Sequence, residues 1–296
     1  MKEFYLQSKN GNINIIEGNE IEFNKMKAII LNVHGLGSHF QFIFDTIDEF
    51  NNRDNFFSKF NYKSYAFEFY GHGKSEGERC VINNFDNLLN DLDCVINYIN
   101  DKYNMKKKIY LCCESMGGSV ALKYVNSKKD NNIGGLILLS PMCGIDDTMK
   151  PSFISAKLLL LLGYIYPNLK LSFLTKNLNE EYMEIKDYVE AKKKCKYRYK
   201  DAHSLCTLSE LYNISMWIPN NINNIDIPVI LFHGTGDTIT SPSDSKKLMD
   251  RIYNKKNELI LLDTNEHTLL VPKNYDDMIP NMVCGKILEW LENILC

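Results

Sequence analysis

Three residues far apart in the chain, Ser115, Asp237 and His267, carry the side chains needed for nucleophilic acyl chemistry. Ser115 lies in Cys113-Glu114-Ser115-Met116-Gly117, a near match to G-x-S-x-G, the strand-to-helix turn that exposes a nucleophilic serine. The residues two before and two after the serine must be small, because strand and helix almost touch at so sharp a turn. Gly117 meets that demand and Cys113 meets it less well. Such a turn strains the serine backbone and sets its oxygen at a helix N-terminus, where partial positive charge favours a developing anion.

A serine hydroxyl becomes a nucleophile only when a base takes its proton and an acid steadies that base. Phe232-His233-Gly234-Thr235-Gly236-Asp237 places an aspartate just past one apolar run, and Asp263-Thr264-Asn265-Glu266-His267 places a histidine just past the next. The order Ser, Asp, His at three strand ends assigns His267 as the base. Asp237 then holds the imidazole tautomer and stabilises its cation. Asp146 or Asp147 is a lower-ranked alternative acid, because both stand at the start of a separate helical segment. The oxyanion hole requires two backbone N–H donors. One is assigned to Met116, the residue after the nucleophile, and the other to Leu36 in His34-Gly35-Leu36-Gly37. His34, His39 and His72 are read as structural, and His203 shows no partner in the sequence.

The elements that must position these residues follow from periodicity. Glu3–Gln7 and Asn12–Glu17 alternate polar and apolar residues around Asn10-Gly11, a hairpin pattern. Strands are expected at Lys27–Val33, Ser64–Tyr70, Ile109–Cys112, Gly135–Leu139, Ile227–Phe232 and Glu258–Leu262. Helices are expected over Phe42–Phe50, Phe85–Tyr103, Ser119–Tyr124, Ser152–Tyr166, Asn179–Lys200, Ser243–Tyr253 and Met278–Leu295. Strand and helix alternate except between about Gly144 and Asn224, where no clean strand appears. The expected organisation is an α/β core in two parts, 1–143 and 225–296, with a helical cap at 144–224. An apolar insertion over the C-terminal strand ends covers the region where ligands bind in open α/β sheets.

At 296 residues the chain can bury a full core, and its 45% hydrophobic and 24% charged residues are those of an ordinary globular protein. A net charge of −3 gives no reason to expect a nucleic-acid partner. Nine cysteines without a metal-spaced C-x-x-C pair read as reduced core cysteines. The first residues lack the apolar core of a signal peptide, and Leu158–Leu162 is too short to span a bilayer, so the expectation is a cytoplasmic protein. No cofactor and no metal are expected.

His34-Gly35-Leu36-Gly37-Ser38-His39, Gly71-His72-Gly73-Lys74-Ser75-Glu76-Gly77-Glu78-Arg79, Glu114-Ser115-Met116-Gly117-Gly118, Leu138-Leu139-Ser140-Pro141, His233-Gly234-Thr235-Gly236-Asp237 and His267 resemble the α/β-hydrolase superfamily, within it the monoacylglycerol lipase and lysophospholipase branch. The likeness spans nearly all the chain outside the cap. It implies an α/β-hydrolase fold, a mostly parallel central sheet with helices on both faces and a helical cap inserted late in the chain. It also implies Ser115, Asp237 and His267 as the triad and Leu36 and Met116 as oxyanion donors. Animal monoacylglycerol lipases carry a glutamate and an arginine near the glycerol site where this chain has Ser38 and Phe42, and a further histidine where it has Leu270.

The resulting expectation is a serine hydrolase that cleaves lipophilic acyl esters through an acyl-Ser115 intermediate, with a lysophospholipid, a monoacylglycerol or a smaller lipophilic ester as substrate. The apolar cap leaves room for transient contact with a membrane surface. An acyltransferase using the same triad and a non-catalytic ligand- or partner-binding relative are the alternatives.

Overall fold

A computed structural model describes residues 2–40, 48–128 (backbone only for 48–53), 132–145, 150–172, 195–272, 274 and 276–295. Eight strands form one sheet in the order β1-β2-β4-β3-β5-β6-β7-β8. They are β1 (Lys2–Gln7), β2 (Asn12–Glu17), β3 (Ala28–Val33), β4 (Tyr62–Phe67), β5 (Ile109–Glu114), β6 (Ile133–Leu139), β7 (Val229–Gly234) and β8 (Glu258–Leu262). The β1–β2 and β2–β4 pairs are antiparallel, and every pair from β4 through β3 to β8 is parallel. β3, β4 and β7 are buried along their whole length, as expected of parallel strands covered on both faces. β8 closes the sheet as a partly exposed edge.

The helices are α1 (Asp48–Lys59), α2 (Asp86–Tyr103), α3 (Met116–Ser127), α4 (Phe153–Ile165), α5 (Leu205–Asn221), α6 (Pro242–Arg251) and α7 (Ile279–Leu295). On one face of the sheet, Leu88, Leu92, Val95 and Ile99 of α2 pack with Val120 of α3 and Leu248 of α6. On the other, Phe57 of α1 and Val283, Ile287 and Trp290 of α7 form a second core. α2 shows why such a segment is helical: its apolar residues recur every three to four positions, and left-handed Asn104 at φ 49° ends it.

Two expectations need correction. The first helix extends to Lys59, well past Phe50; residues 42–47 lie outside the described residues. Of the helix expected at Asn179–Lys200, residues 179–194 also lie outside the described residues, and 195–200 form bends instead of a helix. Helix α5 was not anticipated. Its Ser204 cap accepts from the Thr207 N–H, and the helix tolerates Pro219 near its end. Bonds to the body fasten it: the Thr207 hydroxyl donates to Cys80 O at 3.0 Å and accepts from Ile82 N–H at 2.9 Å, while Glu210 accepts from Phe85 N–H at 2.7 Å. α4 lies on α5, with Ser209 Oγ donating to Leu159 O at 3.3 Å.

The β1–β2 hairpin is stitched to the loop after β4. Asn12 donates from its backbone and side chain to the Glu76 carboxylate at 2.8 and 2.9 Å, and Asn14 N–H donates to Ser75 Oγ at 2.8 Å. Asp91 of α2 accepts from Ser8, Asn10 and the Tyr70 N–H, joining hairpin, loop and helix.

Candidate active site

Ser115 follows β5 directly and has φ 52° and ψ −118°. An L-residue occupies that region only when its surroundings hold it there. Its N–H donates to Leu139 O at 3.0 Å, and its carbonyl accepts from Gly118 N–H at 2.9 Å and Met142 N–H at 3.0 Å. A β-carbon on Gly117 would stand 2.6 Å from Val33 O and 2.8 Å from His34 O, so only glycine lets α3 pass this close to β3. The less suitable Cys113 is accommodated because its thiol is buried in the core.

The end of β3 delivers the glycine loop to the serine. A β-carbon on Gly35 would lie 3.1 Å from Ser115 Cβ, which places Leu36 beside the elbow. His34 fixes this loop: its Nδ1–H donates to Gly35 O at 2.7 Å and its Nε2 accepts from Phe69 N–H at 3.1 Å. One donor and one acceptor define a neutral imidazole, and burial pushes its ionisation down to about 4. Met116 is the first residue of α3, so its N–H has no acceptor within the helix.

Asp237 and His267 meet at the far side of β6. His267 Nδ1 lies 2.7 Å from Asp237 Oδ2, leaving Nε2 as the proton-accepting edge. The imidazole is 11% exposed and the carboxylate is wholly buried. Burial raises the Asp237 ionisation, yet hydrogen bonds from His233 and His267 outweigh it and hold the carboxyl well below the usual range. Its other oxygen accepts from Ile239 N–H at 2.8 Å and Thr240 N–H at 3.2 Å. Thr240 Oγ1 lies 3.0 Å from Asp237 Oδ2 and 3.2 Å from Ser140 O, the residue after Leu139 that receives the Ser115 N–H. The carboxylate and the serine elbow thus attach to the same end of β6.

Of the candidate residues, Asp237 and His267 are directly bonded, while Ser115, Met116 and Leu36 share the adjoining ends of β3 and β5. Asp146 and Asp147 lie outside the described residues. His72 and His39 are buried as framework residues, and His203 stacks on Tyr199 at 5.0 Å between ring centroids. His233, Thr240 and Ser245 were not assigned roles from the sequence. The available signal was His233 itself, four residues before Asp237 in the same glycine-bearing run.

Residues 24–274 match the family model described as serine aminopeptidase, S33. The chain belongs to this family. This S33 hydrolase is 24% identical over 273 residues to the caffeoylshikimate esterase of Arabidopsis thaliana, covering 90% of this chain and 78% of that protein. It is 22% identical over 268 residues to the monoglyceride lipase of Rattus norvegicus, covering 90% and 83%. Its fold matches a soluble variant of the Saccharomyces cerevisiae monoglyceride lipase, solved with a substrate analogue, at TM-score 0.78, 19% identity and 99% and 94% coverage. It matches the Paleococcus ferrophilus monoacylglycerol lipase at TM-score 0.74, with 22% identity and 99% and 100% coverage. The S33 chain is therefore an α/β-hydrolase of the monoacylglycerol-lipase-like branch.

Proposed function

We propose that this hydrolase cleaves carboxylic esters of lipophilic acyl chains through an acyl-enzyme on Ser115, with Asp237 and His267 completing the triad. The observation that carries the reading is the 2.7 Å Asp237–His267 bond at the ends of neighbouring strands, joined through Thr240 and Ser140 to the strained Ser115 elbow. In this scheme His267 Nε2 takes the Ser115 proton as Oγ attacks the ester carbonyl. The N–H groups of Met116 and Leu36 receive the oxyanion, each contributing about 3 kcal/mol to the transition state. His267 returns the proton to the leaving alcohol, then activates water to release the acid.

Lipophilic acyl esters are favoured by the cap. Phe153, Ile154, Leu158, Leu161 and Tyr164 of α4 are exposed, although this is the most apolar of the described helices. Single exposed leucines are ordinary; a helix presenting five large apolar side chains to solvent suits contact with lipid. Lys157 lies over the Phe153 ring at 4.4 Å, a basic-aromatic pairing that suits a membrane surface. Among the described residues no helix is long and apolar enough to cross a membrane, so the contact proposed is peripheral. Relatives named monoglyceride lipase and caffeoylshikimate esterase support ester chemistry. Ser38 and Phe42, where animal monoacylglycerol lipases carry a glutamate and an arginine near the glycerol site, favour a head group other than glycerol alone.

The test is hydrolysis of lysophosphatidylcholine, a monoacylglycerol and a short-chain p-nitrophenyl ester by wild type and Ser115→Ala, with fluorophosphonate labelling of Ser115. The expected result is Ser115-dependent turnover of the long-chain substrates and a labelled Ser115. Undiminished turnover by Ser115→Ala would end the acyl-enzyme reading, and transfer to an added alcohol in preference to water would make the protein an acyltransferase.

A further inference from the structure

Asp237 Oδ2 serves two histidines at once. His267 Nδ1 lies 2.7 Å from it and His233 Nε2 lies 3.2 Å from it. The first contact belongs to the proposed triad, and the second has no part in it. His233, near the end of β7, is wholly buried, as is the carboxylate it faces. On its other side, His233 Nδ1 meets Ser245 Oγ of α6 at 2.8 Å, and Ser245 is also fully buried.

The carboxylate contact favours one tautomer. A neutral imidazole carries one N–H, and an ionised carboxylate only accepts. The carboxylate only accepts, so the proton placement that bonds it puts the His233 proton on Nε2, aimed at Asp237 Oδ2, and leaves Nδ1 to accept from the Ser245 hydroxyl. Thr240 Oγ1 lies 3.0 Å from the same oxygen and 3.2 Å from His233 Nε2 itself, a third neighbour within the network. Burying an imidazole and a hydroxyl where an apolar side chain would pack brings no gain in core stability, because a buried polar group only recovers its lost hydration when bonded. The pairing is better explained by what it does to Asp237.

We propose that His233 is a positioning residue for the hydrolytic reaction: through Nε2–H and backed by Ser245, it orients the Asp237 carboxylate and limits how strongly that carboxylate holds the His267 imidazolium. The proposal rests on the triad reading. A carboxylate oxygen shared among several donors offers less charge to each than one bonded to His267 alone. His267 must bind a proton and then release it in each half of the reaction, acylation and deacylation, so an overstabilised imidazolium slows the release. Removing the His233 donor concentrates the Asp237 charge on His267 and keeps the imidazolium to higher pH. Among the described residues, the titratable groups facing this network include Asp237, His267 and, beyond Ser245, the Cys143 thiol at 3.9 Å from Ser245 Oγ. Burial pushes that thiol up to about 12, so it stays neutral throughout the range of the test. Asp244 and Glu266 flank the network in sequence, next to Ser245 and His267.

The experiment measures kcat and KM against pH on a p-nitrophenyl ester for wild type, H233L, H233Q and S245A, with each fold checked by thermal melting. A glutamine can present an N–H where the imidazole Nε2–H now lies; leucine cannot. H233L is expected to lower kcat roughly tenfold or more with KM within about threefold, and to move the acid limb of kcat/KM up by about half a pH unit. S245A should move both in the same direction by less, and H233Q should recover most of the rate and the wild-type limb. An acid limb unmoved in H233L, or H233Q as impaired as H233L, would overturn the proposal. If H233L does not fold, S245A decides: a raised limb upholds the role and a wild-type limb overturns it. Labelling of wild type by a fluorophosphonate is read first. No label at Ser115 defeats the triad itself, whereas a label with an unmoved limb defeats only the role of His233.

Discussion

Ser115 holds a backbone conformation that costs on the order of 1–3 kcal/mol, and the residues around it show how the fold keeps it there. Gly117 is the most exacting of these, since an added β-carbon would meet backbone oxygens of β3 and its loop and not a movable side-chain tip. Gly117→Ala should lower the melting temperature markedly, a loss of roughly 2 kcal/mol or more, and reduce turnover in the molecules that remain folded. Calorimetry together with active-site titration would separate the two losses. Ser115→Ala, in contrast, should leave the melting temperature nearly unchanged while turnover falls by about a thousandfold or more. At this scale the sequence was highly legible. Ser115, Asp237 and His267 each follow a short apolar run, so each could be placed at a strand end before any contact was known. The bonds of His233, Thr240 and Ser245 to and around Asp237 were not legible, because a hydrogen bond between buried side chains leaves no periodic trace in the chain.

Among the elements, the strands were the most legible, since continuous apolar runs such as Ala28–Val33 and Val229–Gly234 can satisfy burial on two faces only inside a sheet. Helix α5 was hidden for the opposite reason. It contains Pro219 and several asparagines, and its place is set by Thr207 and Glu210 bonding to the Cys80–Phe85 stretch more than by intrinsic propensity. The helix that reaches Lys59 packs through Phe57 and, in part, Phe56, both beyond the aromatic-rich run at 42–50. Helix α4 carries the prediction that belongs to this scale. With Leu158 and Leu161 both changed to Glu, sedimentation with phosphatidylcholine–phosphatidylserine vesicles should fall several-fold. Hydrolysis of a water-soluble short-chain ester should stay within about twofold of wild type, since these side chains point to solvent. Equal loss on both assays would instead place the leucines in the path of the acyl chain.

Across the whole molecule, four of the six histidines gather behind the glycine loop that follows β3. His34 and His72 lie 5.1 Å apart between ring centroids, His39 meets Cys195 at 3.2 Å and Glu68 at 3.8 Å, and His203 stacks on Tyr199 beside Gly37. Burial is the main cause that pushes His34, His39 and His203 down to about 4 and His72 down to about 3, aided by one another and by Lys74, Arg79, Lys170 and Arg198. The unfolded chain takes up these protons near pH 6.5 and the folded chain does not, so stability is complete above that pH. It falls as the pH drops from about 6.5 towards 4, by on the order of 3 kcal/mol for each fully buried histidine, and the loss levels off once the folded form protonates too. A melting series from pH 7.5 to 4.5 should show this decline, and His203→Gln should make it shallower. A wild-type curve flat over that range would contradict the burial described.

The loop from Gly71 to Arg79 supplies none of the proposed chemistry, yet Asn12, Asn14 and, through Asp91, Ser8 and Asn10 all fasten to it or to its neighbours. The region shared with the family begins at residue 24, beyond every one of those anchors. A shortened version of this hydrolase cut at that boundary would keep the proposed triad and lose the scaffolding that holds Tyr70 to Glu76 in place. Whoever trims the chain for crystallisation or fusion should therefore treat the hairpin from Lys2 to Glu17 as an integral strut of the α/β body.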